Sequence, residues 1–316
     1  MDFDSKPLAI LTPMSSSKTM APPNGYGTLA DHEGPAPNGT DAERAALLSK
    51  PTGRHALTSR LHKHFTVNVS KNWGDLALLG CYIITGLLDS ASVFIWGSFV
   101  SMQTGMCPIP SPRRTNAHAP DTGNTVYLGL GLIAPREDDR WIRSGISIAC
   151  FCLGSSFFAF YHRHLGPRKR WVLTSAYCLQ LAMIVAAACM VTFGPPTSKS
   201  TPVNLWIGIP IALIAFQAAG QAVTSRVLQY GGLTSVVLTS NYCDLFSDPK
   251  LFAWPRENLE RNRRTAAPIL LLAGAMIGGV WAHSEVGLGG ALWTGVVLKA
   301  IVIGAWVFWA ADPADV

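Results

Sequence analysis

The sequence predicts an all-α membrane protein with six transmembrane helices, and three observations support this prediction. Charged residues make up only 14% of the 316 residues, whereas a soluble domain carries about 25%. Six long segments are strongly apolar, and tryptophans lie near their ends, where a membrane–water interface favours them. This pattern excludes a disordered protein, a small disulfide scaffold and a nucleic-acid-binding module as the main interpretation.

Residues 1–71 predict a disordered cytosolic tail. They are rich in Pro, Gly, Ser, Thr and Asn and show no sustained periodicity. Such a composition buries too little apolar surface to offset the entropy of the chain. No apolar stretch follows a basic N-terminus, so we expect no cleavable signal peptide.

Residues 72–311 predict the membrane domain, and residues 312–316 a short C-terminal tail. A hydrocarbon core about 30 Å thick requires roughly 20 apolar residues in a helix. The segments that meet or approach this length are 76–100, 144–161, 171–193, 203–223, 266–282 and 286–311. The fifth is the shortest, with 17 residues.

The flanking charges predict that both termini are cytosolic. Fourteen Lys and Arg residues flank the spans on the side of the N-terminus, against six on the opposite side. Positive residues favour the cytosolic side. A glycan on Asn38 or Asn68, which both stand in glycosylation sequons, would contradict this orientation. The flanks do not distinguish a plasma membrane from an internal one.

Two stretches of the chain resemble each other and predict an internal repeat. The first runs from Gly86 to Gly105, and the second from Gly220 to Asn241. Each unit then contains three spans, so the two units run through the membrane in opposite senses. Inverted repeats of this 3+3 kind are frequent in secondary transporters, which place the solute site where the repeats meet.

A polar, Pro-rich segment, residues 106–123, interrupts the first copy. If it were absent, Gly105 would join Asn124 and complete a Thr-Gly-Asn triplet that matches the Thr-Ser-Asn triplet of the second copy. Codons for Gly105-Met106-Cys107 can contain a splice-donor-like GTATGT, and codons for Thr122-Gly123 an acceptor-like CAG. Two explanations stay open: an unspliced intron in the gene model, or a true surface loop, which proteins tolerate at small entropic cost.

The same motifs resemble those of the YoaK-like membrane proteins, a family of bacteria and fungi with a domain of unknown function. The resemblance covers residues 72–311, although the inserted segment splits the first triplet and Ser240 stands where Gly is usual. It implies a polytopic membrane protein and no established activity. The residues that carry it are Gly86, Asp89, Thr104, Gly105, Asn124, Thr239, Ser240, Asn241 and Asp244.

Two ionisable residues inside the predicted spans are the main candidates for chemistry. A carboxylate or ammonium at the centre of a membrane costs about 2.5–3.5 kcal/mol on insertion scales. Asp89, in the first span, is interpreted either as a proton or cation site or as a structural hydrogen-bond anchor. Lys299, near the centre of the last span, either pairs with Asp89 or extends towards the membrane surface and caps carbonyl groups.

Polar side chains elsewhere in the spans complete the candidate site. The two triplets either cap helix ends or line a solute site as paired half-helices. Gln217 and Gln221 lie four residues apart, on one face of the fourth span, and either line the same cavity or bind neighbouring helices. The full candidate solute or proton site is Asp89, Thr104, Gly105, Asn124, Gln217, Gln221, Thr239, Ser240, Asn241, Asp244 and Lys299.

These features favour a secondary transporter or exporter of a small solute, with Asp89 as the candidate for proton coupling. The alternative is a non-transporting membrane scaffold or accessory protein. The usual hydrolase, nucleotide-binding and dinucleotide motifs do not occur, so we expect no enzymatic activity, no cofactor and no metal. The expected partners are the lipid bilayer and an unknown small solute, not nucleic acid, and a homo-oligomer is compatible with the sequence.

Overall fold

The computed structural model describes residues 53–70, 74–103, 123–135, 139–230 and 233–312. These ranges form nine α-helices and no strand, apart from two isolated β-bridges. By its contacts the chain divides into residues 1–55, of which only 53–55 are described, and residues 56–316, which contain the packing and the sites considered below. The helices are α1 (Gly53–Thr66), α2 (Gly74–Trp96), α3 (Asn124–Ile133), α4 (Arg140–Leu165), α5 (Arg170–Phe193), α6 (Leu205–Val227), α7 (Thr239–Phe246), α8 (Leu259–Ala282) and α9 (Leu288–Phe308).

Six of these helices, namely α2, α4, α5, α6, α8 and α9, are long and apolar enough to cross a membrane. They confirm the six predicted spans, although the boundaries differ. The largest difference is in α8, which begins at Leu259 instead of residue 266. Asn258 caps this helix by accepting a hydrogen bond from the Arg261 backbone N–H at 2.9 Å, so the charged residues that follow become its first turns.

The long helices pack in the pattern that the predicted repeat requires. The two most extensive helix contacts are those of α2 with α8 and of α4 with α6. In the predicted repeat, α2 corresponds to α6, α4 to α8 and α5 to α9. Under this correspondence the α2–α8 contact is equivalent to the α4–α6 contact, and the α5–α6 contact is equivalent to the α2–α9 contact. The α5–α9 contact is equivalent to itself. The helix order long, short, long, long also occurs in each half.

The two halves run in opposite senses. At one end of the bundle, Arg263 near the start of α8 forms a 2.7 Å ion pair with Asp75 at the start of α2. At the other end, Arg143 near the start of α4 donates to the Trp96 carbonyl oxygen at 2.6 Å and to the Thr201 carbonyl oxygen, just before α6. The end of α2 and the start of α6 therefore lie at the same end of the bundle, so these two equivalent helices run in opposite directions. We call the end with the Asp75–Arg263 pair the basic end.

Helix α1 differs from the prediction, because it lies inside the stretch expected to be disordered. The prediction of disorder is therefore wrong for Gly53–Thr66, whereas residues 1–52 lie outside the described residues. The last turn of α1 is held by tertiary contacts. The Arg170 guanidinium donates to the His64 carbonyl oxygen at 2.7 Å, and the His64 ring contacts the Val307 carbonyl oxygen at 3.0 Å. The inserted segment also lies outside the described residues, except for Gly123.

Candidate functional site

The predicted site residues fall into three separate places. Asp89 and Asn124 surround the segment that follows α2, the residues of the second triplet lie in α7, and Gln217, Gln221 and Lys299 meet in the centre of the bundle. Thr104 and Gly105 lie outside the described residues.

Asp89 anchors the backbone that follows α2. Gly97 has a positive φ of 73°, which ends the helix and turns the chain back towards it. The Asp89 carboxylate, only 3% exposed, then accepts three backbone hydrogen bonds: Oδ1 from Val100 at 2.9 Å and Ser101 at 2.7 Å, and Oδ2 from Met102 at 3.0 Å. Hydrogen bonds to an ionised acceptor are the stronger kind. This geometry corresponds to the structural anchor, one of the two interpretations that the sequence left open.

Asn124 holds the same segment from its other side. Its Oδ1 accepts hydrogen bonds from the Ser98 hydroxyl at 3.1 Å and the Phe99 N–H at 3.0 Å. Its Nδ2 donates to the Phe99 carbonyl oxygen at 2.7 Å and to Gln103 Oε1 at 2.8 Å. The residue after the inserted segment therefore contacts the residues just before that segment.

The second triplet begins the short helix α7. Thr239, Ser240 and Asp244 are exposed, whereas Asn241 is buried. Asn241 Nδ2 donates to the Arg264 carbonyl oxygen of α8 at 2.8 Å. Asn124 and Asn241, which correspond in the predicted repeat, are therefore both buried and both bind a neighbouring backbone.

Lys299 lies at the middle of α9 and is fully buried. Its Nζ donates to Gln221 Oε1 at 2.6 Å and to Gln217 Oε1 at 3.3 Å, so both glutamines of α6 direct an amide oxygen at the amine. Gln221 Nε2 in turn donates to Thr85 of α2 and to Ser235, each at 3.3 Å. We refer to Lys299, Gln217, Gln221, Thr85, Ser235 and Tyr177 as the Lys299 cluster.

Tyr177 of α5 completes this cluster. The Lys299 Nζ lies 4.7 Å from the centre of the Tyr177 ring, within the range of a cation–π contact. The Tyr177 hydroxyl lies 3.6 Å from Cys81 Sγ. The sequence reasoning missed Thr85, Ser235 and Tyr177. In the sequence these three residues differ from their neighbours only by a polar group in or beside an apolar segment. Thr, Ser and Tyr are common in such segments, so this feature did not identify them as site residues.

No carboxylate compensates Lys299 within the described residues. The ion pairs there are Arg168–Asp312, Arg263–Asp75 and Arg264–Glu260, so the predicted alternative of an Asp89–Lys299 pair is not formed. Two amide oxygens and a ring face surround the amine instead. Burying a charged group without an opposite charge is costly.

Other buried polar groups lie beside the cluster. Gln180 of α5 is fully buried, and neither polar atom of its side chain has a hydrogen-bond partner among the described residues. It lies against Gly220, where an added Cβ would come within 2.6 Å of Gln180 Nε2. The Thr224 hydroxyl lies 3.5 Å from the Nε2 of buried His162. Across the described part of the chain, no group of His, Cys, Asp and Glu side chains could hold a metal ion.

One comparison with known proteins found a match. The family model described as "Protein of unknown function (DUF1275)" matches residues 119–305, more than half of the chain. The match begins inside the inserted segment and includes α3 to α8 and most of α9, but not α2. No curated protein and no solved structure matches the chain.

Proposed function

The chain belongs to the DUF1275 family of proteins of unknown function, and from this premise we propose that it is a membrane transporter of a small solute. We propose that the Lys299 cluster is the solute site. Both the family and the six apolar helices are consistent with the YoaK-like resemblance of the motifs. The proposal includes no enzymatic activity.

The observation that carries the proposal is the position and composition of the Lys299 cluster. Thr85 and Tyr177 belong to the first half of the bundle, whereas Gln217, Gln221 and Lys299 belong to the second. The cluster therefore lies where the two halves meet, which is the usual place of the solute site in inverted-repeat transporters. Ionisable residues deep in a membrane protein usually line substrate or ion pathways, because their insertion is costly.

The Lys299 amine has no carboxylate partner among the described residues, which supports a solute with a negatively charged or strongly accepting group. Such a group would provide the compensation that the amide oxygens supply only in part. The hydrogen bonds described within the cluster all join one side chain to another, so the cluster can rearrange around a solute without unfolding a helix.

A non-transporting scaffold is the second candidate, and one observation favours it. Lys299, Gln217, Gln221, Thr85, Ser235 and Tyr177 are each at most 2% exposed, so the cluster is closed to solvent. A scaffold would use these hydrogen bonds only to hold the helices together.

Flux measurements on reconstituted protein distinguish the two candidates. Full-length protein in liposomes would be given a mixture of small carboxylates, amines and amino acids, and uptake would be measured by mass spectrometry. We expect uptake of at least one solute by the wild type and its loss in Lys299→Met, which keeps an unbranched side chain. The matched control is Lys250→Met, at an exposed position outside the long helices.

Each candidate function has an outcome that contradicts it. Equal uptake by the wild type and Lys299→Met would contradict a solute site at the Lys299 cluster. No uptake of any solute by wild type, together with a stable protein partner on purification, would favour the scaffold. Gel filtration of each variant in detergent would show that the loss of uptake is not a loss of folding.

We also propose that the basic end, and with it both termini, faces the cytosol. The support is the excess of Lys and Arg on the connections at that end. The test is a glycosylation assay in a eukaryotic host. The proposal expects no glycan, and a glycan on Asn38 or Asn68 would reverse the orientation.

A further inference from the structure

A groove of about 770 Å³ opens between α4 and α6 near the basic end. Ser155, Ser156 and Phe160 of α4 line one side, and Val223 of α6 lies on the other. Phe160 is 61% exposed, so an apolar wall is accessible along the groove. This face is distinct from the Lys299 cluster, which is closed inside the bundle.

Two arginines stand in this groove without acidic partners. Arg163, near the end of α4, and Arg226, near the end of α6, both line it and are exposed. Within the described ranges neither guanidinium forms a hydrogen bond or an ion pair. Two guanidinium groups beside an apolar wall are complementary to an anionic group attached to a hydrocarbon chain.

The position of the arginines along the helices favours a lipid over a soluble anion. Helix α4 has 26 residues, and only 22% of its most apolar 18-residue stretch is buried inside the protein. Its remaining apolar surface therefore needs another apolar partner, and for a helix of this length that partner is the bilayer. Arg163 and Arg226 lie in the last turns of their helices, which places them at the level of lipid headgroups.

From these observations we propose that the α4–α6 groove binds an anionic phospholipid. The phosphate lies between Arg163 and Arg226, and an acyl chain follows the wall that includes Phe160. Binding of this kind uses the same electrostatic attraction that holds basic residues at anionic membrane surfaces.

A contact between two buried side chains lies behind the groove, between α4 and α6. His162, which also lines the groove, is fully buried, and its Nε2 lies 3.5 Å from the Thr224 hydroxyl. Thr224 stands one turn after Gln221 on α6. The lipid site does not depend on transport, so its test measures binding alone.

The test uses full-length protein in a neutral detergent and counts bound lipids by native mass spectrometry. The probes are phosphatidylglycerol, which is anionic, and phosphatidylcholine with the same acyl chains. We expect tighter binding of phosphatidylglycerol, and a roughly 30-fold weaker affinity for it in Arg163→Gln/Arg226→Gln, since two interfacial charges are lost. The matched control, Lys250→Gln/Arg256→Gln, removes two exposed charges outside the groove and should bind as the wild type does.

Several results would overturn the proposal. Equal binding of the two lipids would show that the anionic headgroup is not recognised, and an equal loss in both double variants would show only a general charge effect. Displacement of phosphatidylglycerol by excess inorganic phosphate would identify a soluble anion as the ligand. Arg163→Lys/Arg226→Lys is a second control, because it changes the same two positions but keeps both charges. It should retain most of the phosphatidylglycerol binding. A loss as large as that of the glutamine variant would contradict the electrostatic argument.

Discussion

Replacing Asp89 tests whether this carboxylate is an anchor or a proton site. In Asp89→Asn the amide oxygen can still accept from Val100 and Ser101, but the amide nitrogen meets the Met102 N–H, which is also a donor. One charge-assisted hydrogen bond is lost and two become neutral. Charge-assisted bonds contribute about 1.5–3 kcal/mol and neutral ones about 0.5–1.5 kcal/mol. The lost bond and the two weakened bonds together should therefore lower the free energy of unfolding by about 3.5–6 kcal/mol.

Asp89→Leu extends the same prediction, because it removes the acceptor for all three N–H groups. Three charge-assisted bonds of about 1.5–3 kcal/mol each are then lost, so the loss should rise to about 4.5–9 kcal/mol. Unfolding would be followed by circular dichroism in mixed detergent micelles with increasing denaturing detergent. Asp244→Asn, the same substitution at an exposed residue of α7, should leave stability unchanged. Wild-type stability in Asp89→Asn with abolished uptake would refute the anchor and support the proton site.

Three further changes have expected outcomes in the same unfolding assay. Deleting residues 106–123 should preserve the fold, because Gly105 would then take the place of the glycine before α3; loss of the folded protein would show that the inserted segment is required. Gly154→Ala should lower the free energy of unfolding by about 1–3 kcal/mol through overpacking, since the new Cβ would lie 2.6 Å from a backbone oxygen of α6. At Gly304 no atom lies within 4 Å of the added Cβ, so alanine there should be neutral or slightly stabilising. Equal effects of the two substitutions would contradict the packing argument. Asp75→Asn should cost about 1–3 kcal/mol by weakening the charge-assisted hydrogen bond with Arg263, and an unchanged stability would show that the pair contributes nothing.

The long helices could be predicted from the sequence because membrane insertion imposes a strict length of apolar chain. The boundaries could not, because they depend on local geometry. The first span was predicted to reach residue 100, but the positive φ of Gly97 ends α2 at Trp96. Hydropathy likewise missed the first turns of α8, where charged residues are helical because Asn258 caps them.

The short helices α3 and α7 were not predicted, because they are too short to register as spans. They contain 10 and 8 residues, about half the length needed to cross a hydrocarbon core of roughly 30 Å. Their first residues nevertheless belong to the triplets that the sequence comparison singled out: Asn124 begins α3 and Thr239 begins α7. The similar motifs therefore predicted the repeat, although the sequence did not predict the short helices that these motifs begin.

The candidate site was predictable only in part. Lys299, Gln217 and Gln221 were identifiable because polar residues in apolar spans are rare, and the four-residue spacing of the glutamines placed them on one face. The identity of the partners was not predictable. Whether Lys299 binds Asp89 or the glutamines depends on how α9 packs against α2 and α6, which no local pattern in the sequence specifies.

The two intramembrane ionisable groups are stabilised in different ways, and this difference bears on where the protein can move. Asp89 is held by three backbone N–H groups of one short segment, so displacing it would break the local backbone structure. Lys299 is held by side-chain amides of a different helix, and side chains change rotamer without disturbing the backbone. A solute that competes for the Lys299 amine would therefore loosen the contact between α6 and α9 while the segment after α2 stays in place. Both of these helices belong to the second half, but the same competition would also change contacts between the halves. Gln221 donates to Thr85 of α2, and the Lys299 amine lies over the Tyr177 ring of α5. Alternating access requires rearrangement at this interface.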